Sequence, residues 1–327
     1  MTTTVPARKR ILSGVQPSGK LHLGNYFGAI KQHIALQAEG ECYYFIADLH
    51  SLTTVQNAAV LRENIHDVAV AYLALGLDPN KAVFFRQSDV PEVTELAWVL
   101  STVTGMGLLE RAHSYKDKVA KGIAPSVGLF FYPVLMAADI LIVRSHLVPV
   151  GKDQVQHIEM TRDMAGYFNQ TFGKDVFPLP NFRLDVAPIV PGTNGEKMSK
   201  SYNNTIDIFA EGKALRKTVM SVVTDSTPLE APKDPDKCNV MALYKLMATP
   251  AEVQTLEEKY RAGNFGYGTA KQTLYEKIEA YFAPARQKRQ ELLTNPDYVR
   301  DVLRQGAVKA RAEAQATMKM VREAIGL

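Results

Sequence analysis

Three short β-rich runs alternate with helical patterns in the first third of this chain, and that alternation restricts the fold more than any other feature. Residues 10–15 (RILSGV), 42–48 (CYYFIAD) and 82–86 (AVFFR) read as strands. Between them, residues 24–39 form an amphipathic helical pattern. Residues 60–76 place apolar side chains three and four apart and stop at a glycine. A β-α-β-α-β order predicts a parallel sheet with right-handed crossovers, an architecture suited to nucleotides.

Further along, residues 131–143 (FYPVLMAADILIV) are apolar on all sides and predict a buried helix. A short strand at 147–150 and a helix at 154–172 follow. Prolines and glycines interrupt the pattern over 177–195, which places a domain boundary there. Beyond it strand signals stop. Residues 211–223, 240–247, 250–261 and 269–282 read as helices, and 296–325 as one long helix capped by Asn295 with Pro296 in its first turn. At 1.5 Å per residue that helix spans roughly 45 Å, enough to cross from one domain to another.

Composition excludes several classes. Cys42 and Cys238 are the only cysteines, which predicts neither a disulfide framework nor a Cys-based metal or iron–sulfur cluster. With 46% hydrophobic and 22% charged residues the profile is that of a globular protein, and a net charge of +4 is compatible with a polyanionic partner without requiring one. The basic N-terminus lacks the apolar stretch of a signal peptide, and no run approaches the ~18 apolar residues of a membrane span. The expectation is a cytoplasmic protein with no membrane partner.

The loop after the first strand carries the first chemical motif. Gly14 to Lys20 matches seven positions of a P-loop, but the eighth must be Ser or Thr to hold magnesium and is Leu21. That reading fails. The second half, Pro17 followed by His22-Leu23-Gly24-Asn25, puts a glycine where a helix opens and a ligand must approach the backbone closely. His22 and Asn25 then stand at a helix N-terminus, which favours an anion. A plain strand–turn–helix joint explains the glycines equally well, but not the paired His22 and Asn25.

The second motif is Lys197-Met198-Ser199-Lys200-Ser201, after the loop Gly192-Thr193-Asn194-Gly195. Two lysines three residues apart on a turn flanked by glycines can wrap a triphosphate and follow its charge as pyrophosphate leaves. A solvated basic turn is the competing reading of those lysines taken alone.

Together, in this order and at this separation, the two motifs resemble the HIGH and KMSKS signatures of class I aminoacyl-tRNA synthetases, with asparagine replacing the last residue of the first. Residues 148–159 (VPVGKDQVQHIE), 132–140 (YPVLMAADI), 14–19 (GVQPSG) and 48–50 (DLH) are similar to the bacterial tryptophanyl branch. The tyrosyl branch has a related Gly-x-Asp-Gln turn but differs around it. The similarity runs, with gaps, over essentially the whole chain. The fold it implies is α/β: a Rossmann-type parallel-sheet catalytic domain over 1–190, then a smaller all-helical domain over 191–309 that begins with the KMSKS loop and binds the tRNA anticodon. The end of the last helix, about 310–327, is expected to pack back on the sheet domain.

Asp139 stands inside the all-apolar helix, where a carboxylate is costly unless a donor meets it. Met136 lies one turn earlier on the same face and Tyr132 about two turns earlier. A sulfur, an aromatic ring and an acceptor would suit an indole, whose only polar atom is an N–H donor. A buried Asp capping a neighbouring helix fits the residues equally well, and an acceptor would also take a phenol O–H. The resemblance assigns Asp139 to the indole.

The resemblance further implies that ATP, carrying Mg2+ as part of the substrate, is held by Gln16, Pro17, Ser18, His22, Gly24, Asn25, Gly151, Lys152, Asp153, Ile189 and the segment Lys197, Met198, Ser199, Lys200, Ser201. Lys118 is expected to reach the phosphates, although a solvated surface lysine is an equal reading. Lys197, Lys200, Lys118, His22 and Asn25 form the expected catalytic set, without a protein-held metal. Tryptophan is expected to meet Asp139, Met136, Tyr132, His50, Gln154 and Gly14; His50 also fits a structural core role. The reaction implied is activation of L-tryptophan to tryptophanyl-adenylate with release of pyrophosphate, then transfer to the 2′-hydroxyl of tRNA(Trp), releasing AMP. Lys213, Arg216, Lys217, Lys271, Arg286, Lys288 and Arg289 supply basic charge to the helical domain, and a homodimer is implied, with the apolar stretch 98–109 a candidate for its interface. Two rivals remain at this point: a tyrosyl enzyme of the same fold, and a synthetase-like ATP- or RNA-binding protein without charging activity.

Overall fold

The computed structural model describes residues 8–112, 126–184 and 188–327. In chain order its elements are β1 (Arg10–Val15), α1 (Leu23–Asn25), a π-helical turn (Tyr26–Ile30), α2 (Lys31–Leu36), β2 (Glu41–Ile46), α3 (Asp48–Ser51), α4 (Ala58–Ala74), β3 (Ala82–Arg86), α5 (Glu92–Val103) and α6 (Met106–Glu110). Then come α7 (Val127–Ile142), β4 (Leu147–Val150), α8 (Val155–Phe172), β5 (Asn181–Leu184), α9 (Gly212–Met220), α10 (Asn239–Lys245), α11 (Pro250–Ala262), α12 (Tyr267–Leu293) and α13 (Pro296–Ile325). The described residues fall into two compact units. One takes them from Met1–Gly19, His33–Val186 and Thr294–Leu327, the other from Lys20–Gln32 and Ala187–Leu293.

The first unit is built on a five-stranded sheet in the order β3-β2-β1-β4-β5, parallel at every pairing. Residues 42–46 of β2 are all buried, as expected of a central parallel strand covered on both faces. Because β1 has β2 on one side and β4 on the other, the chain reverses its winding there. The crevice beyond the C-terminal ends of β1 and β4 is therefore where such a sheet takes a ligand. The loop at Gln16, Pro17 and Ser18 leaves one of these strands, and Gly151, Lys152 and Asp153 leave the other.

The strand β5 is a correction to the sequence reading, which has only broken structure over 177–195. It is a short edge strand exposed at every residue, so no burial pattern marks it, and Pro178 and Pro180 precede it. The opposite edge, β3, is covered by α13. A Cβ at Gly306 would stand 1.9 Å from the Phe84 carbonyl oxygen, so only glycine lets the helix lie backbone to backbone on that strand. Arg311 donates to the buried Glu92 carboxylate at 2.8 and 3.1 Å, and Arg322 pairs with Glu95 at 2.5 Å, fixing α13 on α5. All of α13 belongs to the first unit, not only its last turns.

In the second unit, Ala270, Leu274, Ile278 and Phe282 put one buried stripe along α12, against which α9 and α10 pack. The helix continues through Pro284 to Leu293 instead of ending near 282. The lost ladder hydrogen bond is offset by burial of Phe282 and Arg286 on either side. Arg286, counted above as basic charge for tRNA, is buried: it donates to Glu279 at 2.6 Å and to the Ile208 carbonyl at 3.2 Å. It serves the unit's interior, not its surface.

Candidate active site

The loop bearing His22 and Asn25 belongs to the helical unit rather than to the sheet it follows. Backbone pairing accounts for this. Leu23 N–H donates to Ile206 O at 3.0 Å, Ile208 N–H donates to Leu21 O at 3.3 Å, and His22 and Asp207 form an antiparallel bridge. Next along the chain, Tyr26 packs edge-on against Tyr281 and Phe282, and Phe27 edge-on against Phe282, with the Tyr26 and Tyr281 hydroxyls 3.3 Å apart. The helix expected to open at Gly24 begins at Leu23 with His22 as N-cap and widens to a π-helical turn from Tyr26. Such turns are rare and occur often at functional sites.

The same pairing brings the two signature motifs into contact. The Gly24 N–H points at Met198 Sδ across 3.4 Å, and a Cβ at Gly24 would meet the His22 ring at 2.9 Å and Met198 Cβ at 3.4 Å. The Asn25 side chain accepts from the His22 N–H at 3.1 Å, closing the turn. His22 is buried, and its Nδ1 has no hydrogen-bond partner among the described residues. Burial, reinforced by the Lys200 charge, lowers its pKa to about 4, so the imidazole is neutral near pH 7. Burial also lowers the Lys200 pKa, against the opposing pull of Asp207.

In the KMSKS segment Met198 is buried, Ser199 is half-buried, and Lys197, Lys200 and Ser201 are exposed. One buried side chain ties the segment to its surroundings. Asn204, buried at 1% exposure, donates to Asn194 Oδ1 at 2.7 Å and Lys197 O at 3.2 Å, and accepts from Ser199 N–H at 2.8 Å. Gly192 serves this clamp rather than flexibility, since a Cβ there would stand 2.2 Å from Asn204 Nδ2. No spacing in the sequence points to Asn204. Ile189, in the same unit, is 78% exposed.

The first unit brings a different set together. Asp139, on α7, is 4% exposed and accepts from His50 Nε2 at 2.9 Å. Gln87, which the sequence reading does not single out, donates to both Asp139 oxygens at 2.8 and 2.9 Å. Burial pushes the Asp139 carboxyl up from its usual range, and the His50 and Gln87 donors act against that rise. One turn before the half-buried Met136, Tyr132 shares a 2.5 Å hydrogen bond with His157 Nε2. His50 and Tyr132, with Phe131 and Leu135, lie on the wall of a cavity of about 190 Å3.

Gly14, next to last in β1, lies against Phe45, whose ring would stand 2.5 Å from a Cβ there. Beyond β4, Gln154 donates to Asp153 at 2.9 Å, and a Cβ at Gly151 would meet Asp153 Oδ1 at 2.8 Å. Gln16, Ser18, Lys152 and Asp153 are exposed and Pro17 is buried. Lys118 lies outside the described residues. No helix among the described residues is long and apolar enough to cross a membrane.

Comparisons with known proteins agree on one family. The family model described as "tRNA synthetases class I (W and Y)" matches residues 6–283. The tryptophan–tRNA ligase of Rhodopirellula baltica is 58% identical over 319 residues, which cover 97% of this chain and 99% of that protein. The crystal structure of tryptophanyl-tRNA synthetase from Campylobacter jejuni, complexed with ADP and tryptophan, superimposes with a TM-score of 0.93 at 52% identity, covering 97% of this chain and all of that one. Tyrosyl-tRNA synthetase from Archaeoglobus fulgidus shares the fold alone, with a TM-score of 0.65 at 20% identity over 86% of this chain and 90% of that one.

Proposed function

This chain belongs to the class I tRNA synthetases for tryptophan and tyrosine, and from that premise we propose that it works as a tryptophan–tRNA ligase. It activates L-tryptophan with ATP to tryptophanyl-adenylate and pyrophosphate, then esterifies tRNA(Trp) and releases AMP. Curated tryptophan–tRNA ligases at 52–58% identity over almost the whole chain support the substrate. The structural observation that carries the chemistry is the contact between Gly24 and Met198, which unites both signatures in one unit.

In the helical unit, the neutral His22 and the half-buried Asn25 stand at a helix N-terminus, where donors and dipole favour a phosphate. The open Nδ1 of His22 supports its use by a ligand. Lys197 and Lys200 hold the β- and γ-phosphates and stabilise the charge that develops as pyrophosphate departs, with magnesium arriving on the ATP. No covalent catalyst is required, because the tryptophan carboxylate is itself the nucleophile at the α-phosphate.

In the sheet unit, Asp139 accepts the indole N–H beside Met136, Tyr132 and His50, and Gln154 and Gly14 lie toward the rest of the amino acid. The support for Asp139 is its burial within hydrogen-bond reach of His50 and Gln87. Gln16, Pro17, Ser18, Gly151, Lys152 and Asp153 hold the adenosine at the ends of β1 and β4, where a doubly wound sheet takes its ligand. Lys118 adds charge to the phosphates. The sheet domain takes the amino acid and the adenosine, and the helical one, besides carrying both signatures, reads the anticodon. The protein is cytoplasmic and a homodimer; exposed Trp98 (70%) and Met106 (63%) support an interface along 98–109.

Charging tests this directly. Bacterial tRNA incubated with ATP and labelled tryptophan should become esterified, and labelled tyrosine should not. Failure to charge despite tryptophan-dependent use of ATP would favour a synthetase-like protein that stops at the adenylate.

A further inference from the structure

Gln87 is 1% exposed, lies between β3 and α5, and has no part in the roles given so far. Resting on the tryptophan reading above, we propose that Gln87 is a positioning residue. It fixes the Asp139 carboxylate as an acceptor for a ring N–H, and so sets the preference for tryptophan over equally large ring systems that lack one.

The argument begins with the amide's orientation. Gln87 Oε1 accepts from the backbone N–H of Leu49 at 3.1 Å and of His50 at 3.4 Å, while Nε2 donates to Asp139 Oδ1 and Oδ2. A flipped amide would set oxygen against carboxylate and NH2 against backbone N–H, so the donor end always faces Asp139. The neighbouring residue locks the frame. Ser88 donates to the Asp48 carboxylate through its N–H at 3.0 Å and its hydroxyl at 2.5 Å, tying the Gln87 turn to the start of α3, where His50 sits.

The result is a carboxylate held on two sides by donors. A carboxylate has about four acceptor positions, and His50 and Gln87 leave some of them unfilled. The Gln87 amide presents only its NH2 donor to Asp139, so this side of the site favours the carboxylate as an acceptor. The arrangement therefore completes itself with a further N–H, and a ring without one leaves a buried acceptor unmet. Sites built to hydrogen-bond a substrate discriminate strongly against analogues that lack the group.

The experiment compares tryptophan with its analogue in which a benzothiophene ring sulfur replaces the indole N–H, in ATP–pyrophosphate exchange. Wild-type protein should prefer tryptophan by about a hundredfold or more in kcat/KM. Gln87→Met should shrink that ratio about tenfold or more, through the KM for tryptophan, with the analogue's rate nearly unchanged. In Gln87→Glu the two carboxylates must share a proton, which restores the donor. Its tryptophan KM, relative to wild type at the same pH, should fall toward normal as pH drops from 8 to 6. A merely structural role would slow both substrates alike and show no such recovery. An unchanged ratio in a folded Gln87→Met protein overturns the inference, as does a flat pH response in Gln87→Glu; should Gln87→Met not fold, the pH response decides alone. Wild-type protein inactive with tryptophan would overturn the tryptophan reading itself, and this inference with it.

Discussion

The backbone N–H of Gly24 faces the sulfur of Met198 at 3.4 Å, so the residue that opens the first signature helix touches the middle of the second signature. The two motifs lie 174 positions apart in the chain and share one unit. Crowding at this contact makes it sensitive. In Gly24→Ala the new methyl would press on the His22 ring at 2.9 Å and displace that buried imidazole. Exchange activity should fall about tenfold or more with little change in melting temperature, measured by pyrophosphate exchange beside a thermal scan. Full activity would show that the contact is incidental.

Asn204 holds the KMSKS segment through side-chain hydrogen bonds to Lys197 and Ser199, and ties it to Asn194 in the preceding loop by a third. Asn204→Ala should lower kcat for adenylate formation about 10- to 100-fold, the scale of losing one or two such bonds in positioning, and leave the KM for tryptophan nearly unchanged. Steady-state exchange at varied tryptophan separates the two; a rise in KM alone would contradict the clamp.

Gly306 reverses an ordinary expectation. Glycine to alanine inside a helix normally stabilises by about 1 kcal/mol. Here the added Cβ would overlap the Phe84 carbonyl oxygen, so Gly306→Ala should destabilise by about 2 kcal/mol or more as α13 lifts from β3. Urea unfolding checks both sign and size.

Acid should weaken the first unit through His33. This imidazole is fully buried between Ser13 Oγ at 3.0 Å and the Tyr72 hydroxyl at 3.2 Å, and burial lowers its pKa to about 4. A histidine whose folded pKa lies below its unfolded value near 6.5 favours folding while neutral. Its contribution is complete above about pH 6.5 and is lost as pH falls toward 4, up to about 3 kcal/mol. His33→Gln should be less stable at pH 7 but lose less stability on acidification, seen in urea midpoints at pH 7, 5.5 and 4.5. Parallel losses in both proteins would assign the acid sensitivity elsewhere.

Much of this was legible in the residues. The runs at β1, β2, β3 and β4, the all-apolar helix around Asp139 and the cap at Asn295 follow from periodicity and turn chemistry, which are local. What escaped is what depends on partners far away in the chain. β5 is four exposed residues after two prolines and becomes a strand only by pairing with β4. α12 runs through Pro284 because packing outweighs one lost hydrogen bond. Gln87 and Asn204 are single amides with no spacing to betray them; their meaning lies in Asp139 and Lys197, which only folding brings near. Arg286 looks like any surface cation until Glu279 and the Ile208 carbonyl are seen to enclose it. Gly192, one of the glycines flanking the lysine turn, is a close approach to Asn204.

The most direct test of the central claim is amino-acid-dependent ATP–pyrophosphate exchange, with tryptophan, tyrosine and phenylalanine supplied separately to wild type and to Asp139→Ala. Exchange with tryptophan alone, abolished or strongly weakened in the Asp139→Ala protein, is the predicted result. Exchange driven by tyrosine, or tryptophan exchange indifferent to Asp139→Ala, would contradict the account of how this site chooses its substrate.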